Sequence, residues 1–157
     1  MIEKEELQSI IPHSGRMLLI SRVIDYSLEE RRIETEYDIT EDCLFYDSVS
    51  QGVPGWAGFE FIAQSVSAFI GIRDRGKVKH QFGFILSVSQ IAIGLPFFSA
   101  GSIIKIKAEE IDHVDSVYVF NGEIFLEDKK ILTGKITVMD ADSEQLQAMN
   151  EKEKTIE

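Results

Sequence analysis

The chain has 157 residues, 44% of them hydrophobic, with a formal net charge of −11 from 16 basic and 27 acidic side chains. That length makes one domain with a sizeable core the expectation. The acidic balance argues against a nucleic-acid partner, which needs a basic footprint, and against an anionic membrane surface. A single cysteine, Cys43, excludes an intramolecular disulfide framework and a cysteine-based metal cluster. The charged opening Met1-Ile2-Glu3-Lys4-Glu5-Glu6 is unlike a signal peptide, and a cytoplasmic location is expected. The longest apolar region, Phe82 to Phe98, is broken by Ser87, Ser89, Gln90, Gly94 and Pro96, so no membrane span is expected.

Residues 3–10 read as a short helix with Leu7, Ile10 and Ile11 on one side, stopped by Pro12. A turn-rich connection through His13, Gly15 and Arg16 follows. Met17 to Tyr26 reads as a first strand, buried on both faces in its first half. Arg32 to Ile39 alternates: Ile33, Thr35, Tyr37 and Ile39 face one side, Glu34, Glu36 and Asp38 the other. That is a strand with one wet face. Residues 40–53 read as a loop with the apolar middle Cys43-Leu44-Phe45-Tyr46.

Pro54 to Gly71 is the one long stretch without alternation, and apolar residues fall on nearly every side of it. This predicts a buried helix, with Pro54 at its start and Gly71 near its end. Gly55 and Gly58 leave room for a ligand or another backbone at the first turn. One stripe breaks the apolar pattern: Glu60, Ala63, Gln64 and Ser67, at helical spacing on one face. A carboxylate inside an apolar helix is costly unless paired, hydrogen-bonded or functional. Glu60 is either an acid/base group or a partner of the helix dipole.

After the helix, Arg73, Arg75, Lys77 and Lys79 form the one basic cluster, read either as a solvated turn or as a dock for a phosphate or an acidic partner. Phe82–Ile93, 102–109, 117–126 and 131–138 read as strands of an antiparallel meander. Residues 140–157 are polar and acidic, a frayed helix or disordered tail following one domain over 1–139. A single apolar helix needs a sheet around it, so the fold class is α+β with the helix on one face of an antiparallel sheet. No phosphate loop, dinucleotide fingerprint, nucleophile elbow or clustered metal ligands appear, and no metal or other cofactor is expected. His13 reads as structural or catalytic, Tyr46 as a packed aromatic or a hydroxyl donor, and Trp56 as core or tunnel wall. His80 and His113 read as surface residues, Cys43 as packing.

Three stretches resemble the β-hydroxyacyl-(acyl carrier protein) dehydratases of fatty-acid synthesis, which have the hot-dog fold. They are Ile11-Pro12-His13 through Leu18-Leu19-Ile20-Ser21-Arg22-Val23; Pro54-Gly55, then Glu60, then Ala63-Gln64; and Phe82-Gly83-Phe84-Ile85 through Pro96 and Gly101. The resemblance implies Glu60 as acid/base, Gly55 as an N–H donor to the thioester oxygen, and Gln64 orienting Glu60. It implies a 3-hydroxyacyl thioester substrate on acyl carrier protein or coenzyme A, and a homodimer or dimer of dimers with sites between subunits. The basic cluster would then meet the carrier at the mouth of an acyl tunnel. One departure stands out: the family's catalytic histidine precedes the helix, whereas residues 45–53 hold none, and Tyr46 falls roughly in its place. In this the chain resembles divergent dehydratase-like proteins of aryl-polyene and related lipid pathways. A hot-dog thioesterase and a non-catalytic acyl-binding or partner subunit stay open as alternatives.

Overall fold

The computed structural model describes residues 1–75, 82–141, 148 and 151–155. Its elements in chain order are β1 (Ile2–Glu3), α1 (Lys4–Ile10), a 3-10 turn (Gly15–Met17), β2 (Arg22–Ser27), β3 (Arg32–Asp38), β4 (Gly52–Pro54), a second 3-10 turn (Gly55–Ala57), α2 (Gly58–Arg73), β5 (Phe82–Ile93), β6 (Phe97–Ser99), β7 (Ile103–Val114), β8 (Val117–Leu126) and β9 (Lys129–Ala141). Seven strands form one antiparallel sheet in the order β1-β2-β3-β7-β8-β9-β5, and β4 pairs with β6 in a small second sheet. The α+β hot-dog architecture is therefore present, a broad antiparallel sheet around one long helix.

The alternation of β3 places Ile33, Thr35 and Tyr37 in the interior and its four charged residues at the wet face. Register carries this pattern across the sheet. Thr35 pairs with Ile106, Ile106 with Ile124, and Ile124 with Leu132, all four of them buried. Helix α2 lies on this apolar face with Phe61, Ile62, Val66, Phe69 and Ile72 buried. Its approach is close because the sheet has no side chain at Gly122: a Cβ there would stand 2.4 Å from Ile62 Cγ2. Two buried hydroxyls cross the same interface. Thr35 Oγ1 and Ser65 Oγ are 2.7 Å apart, and Ser65 also donates to Phe61 O within its own helix.

Four expectations are corrected. The strand expected from Met17 begins at Arg22, as β2. Leu18, Leu19 and Ile20 are buried as a both-sided apolar run should be, but the Leu19 N–H donates to a helix side chain, not to a ladder. Helix α2 begins at Gly58 after a 3-10 turn, because Pro54 is held in β4 opposite Phe97. It ends at Arg73, and Gly71 is a packing contact against Ile10 of α1, not a terminator. The closing strands are a meander only for β7, β8 and β9; β5 pairs with β9 and takes the sheet's outer edge. At the end of the chain β9 runs to Ala141, and residues 151–155 are helical and exposed.

Candidate active site at the start of the central helix

The polar stripe of α2 is its less buried face: Glu60, Ala63 and Ser67 are half-buried, while Gln64 is 2% exposed. Gln64 is a buried amide with all its main partners supplied. Its Oε1 accepts from the Leu19 N–H at 2.7 Å, and its Nε2 donates to Met17 O at 2.8 Å. The same Nε2 stands 3.4 Å from Glu60 Oε1, one helical turn back. So Gln64 meets Glu60, but its amide is spent on backbone, which leaves little of it for a bound substrate.

Gly55 stands differently from the expectation. Its N–H donates to Pro96 O at 2.8 Å and is therefore not a free donor for a thioester oxygen. The glycine is required by the same contact, since a Cβ there would lie 2.2 Å from Leu95 O. The room it leaves is filled by the 93–96 loop of the chain itself. Trp56 is not core: 53% of it is exposed, with one side against Phe45 at a centroid distance of 5.3 Å and an angle of 63°. That contact lays the loop before β4 over the first turn of the helix segment. Tyr46, next in sequence, is half-buried against the core, and its N–H donates to Cys43 O.

His13 lies between α1 and the first 3-10 turn. Its Nδ1 is buried with no hydrogen-bond partner among the described residues, so this nitrogen does not make the backbone bond expected of a structural histidine. No hydrogen bond joins it to Glu60. Cys43 is buried packing, its thiol 3.5 Å from Asp38 O. Burial, and then a hydrogen bond with Cys43, pushes the Tyr37 phenol well above its ordinary value. His113 stacks on Tyr118 at 5.2 Å, half exposed at the far end of the sheet.

Of the basic cluster, Lys77 and Lys79 lie outside the described residues, as does His80. The two described members are engaged within the chain. Arg73 pairs with Asp74 and sits over the Tyr118 ring at 4.9 Å, and Arg75 pairs with Glu6 of α1. Arg16, not singled out by its sequence, is the more telling cation. Its Nε donates to Asp42 O at 3.0 Å and its Nη2 to Cys43 O at 3.4 Å, joining the first 3-10 turn to the loop that carries Tyr46. Nothing in the local sequence pairs these segments; only the fold brings them together.

Among the described residues, no helix is long and apolar enough to cross a membrane. Comparison with known proteins agrees with this fold. A 3-hydroxyacyl-[acyl-carrier-protein] dehydratase FabZ from Chlamydia trachomatis is 24% identical over 111 residues, 67% of this chain and 70% of that protein. The dehydratase heterocomplex ApeI:P from Xenorhabdus doucetiae superposes with a TM-score of 0.81 at 20% identity, covering 91% of this chain and 95% of that one. A hypothetical thioesterase from Streptococcus pneumoniae, solved with coenzyme A, shares the fold at a TM-score of 0.59 and 12% identity over 86% of this chain and 91% of its own. The ApeP dehydratase model matches residues 5–151, nearly the whole chain, and the chain belongs to the ApeP-like family of hot-dog dehydratases.

Proposed function

We propose that this chain takes part in removing water from 3-hydroxyacyl thioesters carried by acyl carrier protein, with Glu60 as the acid/base. The observation that carries this is Glu60 itself: a half-buried carboxylate on an apolar helix, beside a buried amide, in a chain of a dehydratase family. In the reaction the substrate loses a proton from the carbon next to the thioester carbonyl, its C–O bond breaks, and the hydroxyl leaves as water. A positioned carboxylate can give or take a proton in such steps. Developing charge on the thioester oxygen is served by the N-terminal end of the helix segment, where the dipole is positive. With the Gly55 N–H committed to Pro96, that role passes to the peptide groups that follow it.

A second proton-transfer group has to come from elsewhere, because residues 45–53 carry no histidine. Tyr46 can donate through its hydroxyl but is a poor base near neutrality. A second hot-dog chain is the other source. Edge strand β5 supports such pairing: it has no charged residue, and Ile85, Leu86, Ile91 and Ile93 are exposed along it. Uncharged apolar edges of this kind invite strand addition. The missing histidine also favours one further reading, a partner subunit that binds acyl chains without catalysing.

The test uses crotonyl and 3-hydroxyacyl thioesters with the full chain and with Glu60→Gln. Hydration or dehydration without free thiol supports the proposal, and Glu60→Gln should then lose about a hundredfold or more while staying folded. Thiol release would point to a thioesterase, and inertness of the wild type to the partner-subunit reading. Full activity in Glu60→Gln would remove the carboxylate from the mechanism.

A further inference from the structure

We propose that the segment Gly15–Leu19 is a strut that fixes the two sides of this site relative to each other, and that Arg16 is a positioning residue within it. The inference rests on the reading of Glu60 given above. On one side of the strut, the Arg16 guanidinium donates to Asp42 O and Cys43 O. Cys43 O also accepts from the Tyr46 N–H, so Arg16 grips the turn from which Tyr46 hangs. On the other side, Met17 O and the Leu19 N–H hold the two ends of the Gln64 amide. Four consecutive residues, 16–19, therefore join the loop carrying Tyr46 to the helix carrying Glu60.

The grip on Gln64 is directional. Turning the amide over would set its NH₂ against the Leu19 N–H and its oxygen against Met17 O, two repulsive contacts in a buried place. Oε1 must therefore face Leu19 and Nε2 must face Met17. The second Nε2 hydrogen then has Glu60 Oε1 before it, at 3.4 Å. Glu60 Oε1 is thereby the held oxygen, and Oε2 is the one left to exchange a proton with substrate. The strut itself is short and stiff: Met17 N–H donates to Ser14 O at 3.2 Å and Leu18 N–H to Gly15 O at 3.3 Å, with Gly15 at a φ of 58° starting the turn.

Arg16 suits a test because it is exposed and its acceptors are loop carbonyls that water can also serve. Removing it should leave the fold in place and loosen the geometry. Arg16→Ala should lower kcat for thioester hydration about tenfold, as small misplacements of reacting groups do, with KM within about twofold. Arg16→Lys, which keeps one donor, should recover part of the loss. Amide exchange should quicken severalfold at both Tyr46 and Leu19 in Arg16→Ala, with the thermal midpoint unchanged. An unchanged kcat, or a kcat that falls only with the folded fraction, would overturn the proposal. An inert wild type would overturn the dehydratase reading instead. The strut would then be judged on exchange, and unaltered protection at Tyr46 and Leu19 would overturn it.

Discussion

Replacing Gly55 by alanine separates two roles that the sequence alone leaves mixed. If the residue serves as a free N–H donor, alanine keeps that N–H and stability should stay near wild type. The packing says otherwise. The added Cβ would lie 2.2 Å from Leu95 O and 3.0 Å from Ile93 Cγ2. A carbon–oxygen contact settles at about 3.3 Å or more, so the loop carbonyl must withdraw by about 1 Å. Overpacking of this kind costs about 1–3 kcal/mol, and losing the bond from Gly55 N–H to Pro96 O adds about 1 kcal/mol. Gly55→Ala should therefore be about 2–4 kcal/mol less stable, a fall of about 5–15 °C in Tm for a domain of this size. Urea unfolding with an unchanged m-value is the assay. A variant within about 0.5 kcal/mol of wild type would refute the packing role, since surface changes have effects of that size.

Gly122→Ala places a methyl against Ile62 and should cost about 1–3 kcal/mol in the same urea assay; no measurable change would mean that α2 is not seated on β8 as described. The raised Tyr37 phenol favours its neutral form in the fold. Its contribution is fully present below the ordinary phenol value of about 10 and is lost as pH rises above it toward the folded-state value. Urea midpoints should fall above pH 10 or so in the wild type and fall less steeply in Tyr37→Phe. Ile91→Lys puts a charge on exposed edge strand β5 and should change folding stability by less than about 0.5 kcal/mol. It should reduce the mass seen by light scattering if that edge pairs with a second chain.

Local pattern carried the elements that meet one environment along their length. Strand β3 was legible because its two faces differ, interior against water, at a period of two. Helix α2 was legible because nearly all its faces are apolar, and the i,i+4 spacing of Glu60 and Gln64 already placed them together. What failed depends on partners distant in the chain. Leu18-Leu19-Ile20 has the composition of a strand, yet Leu19 bonds a side chain 45 residues away. Pro54 and Gly55 look like a helix start, yet Phe97 and Pro96, four decades on in the numbering, hold them in a strand and a 3-10 turn. Arg16 sits in a polar turn of no evident pattern, and its acceptors are backbone carbonyls, which leave no trace in side-chain identity. The place of β5 at the sheet edge is of the same kind, since its partner is the last strand.

Large apolar side chains near Gln64 and Gly55 bear on the proposed function. Met17, whose carbonyl holds Gln64, is 60% exposed; Trp56, at the turn leading into α2, is 53% exposed; Ile93, which crowds Gly55, is 47% exposed. Large apolar side chains left in water on three different segments cost free energy in proportion to their area. An apolar body covering these side chains would relieve that cost. A flexible acyl chain alone would cover some of them and leave the β5 edge open. A second sheet joined along β5 would cover the strand that ends at Ile93. Under the proposed function, residues 45–53 without a histidine and an uncharged edge strand Phe82–Ile93 fit one reading: a chain that supplies one wall of a site and takes the opposite wall from a second chain.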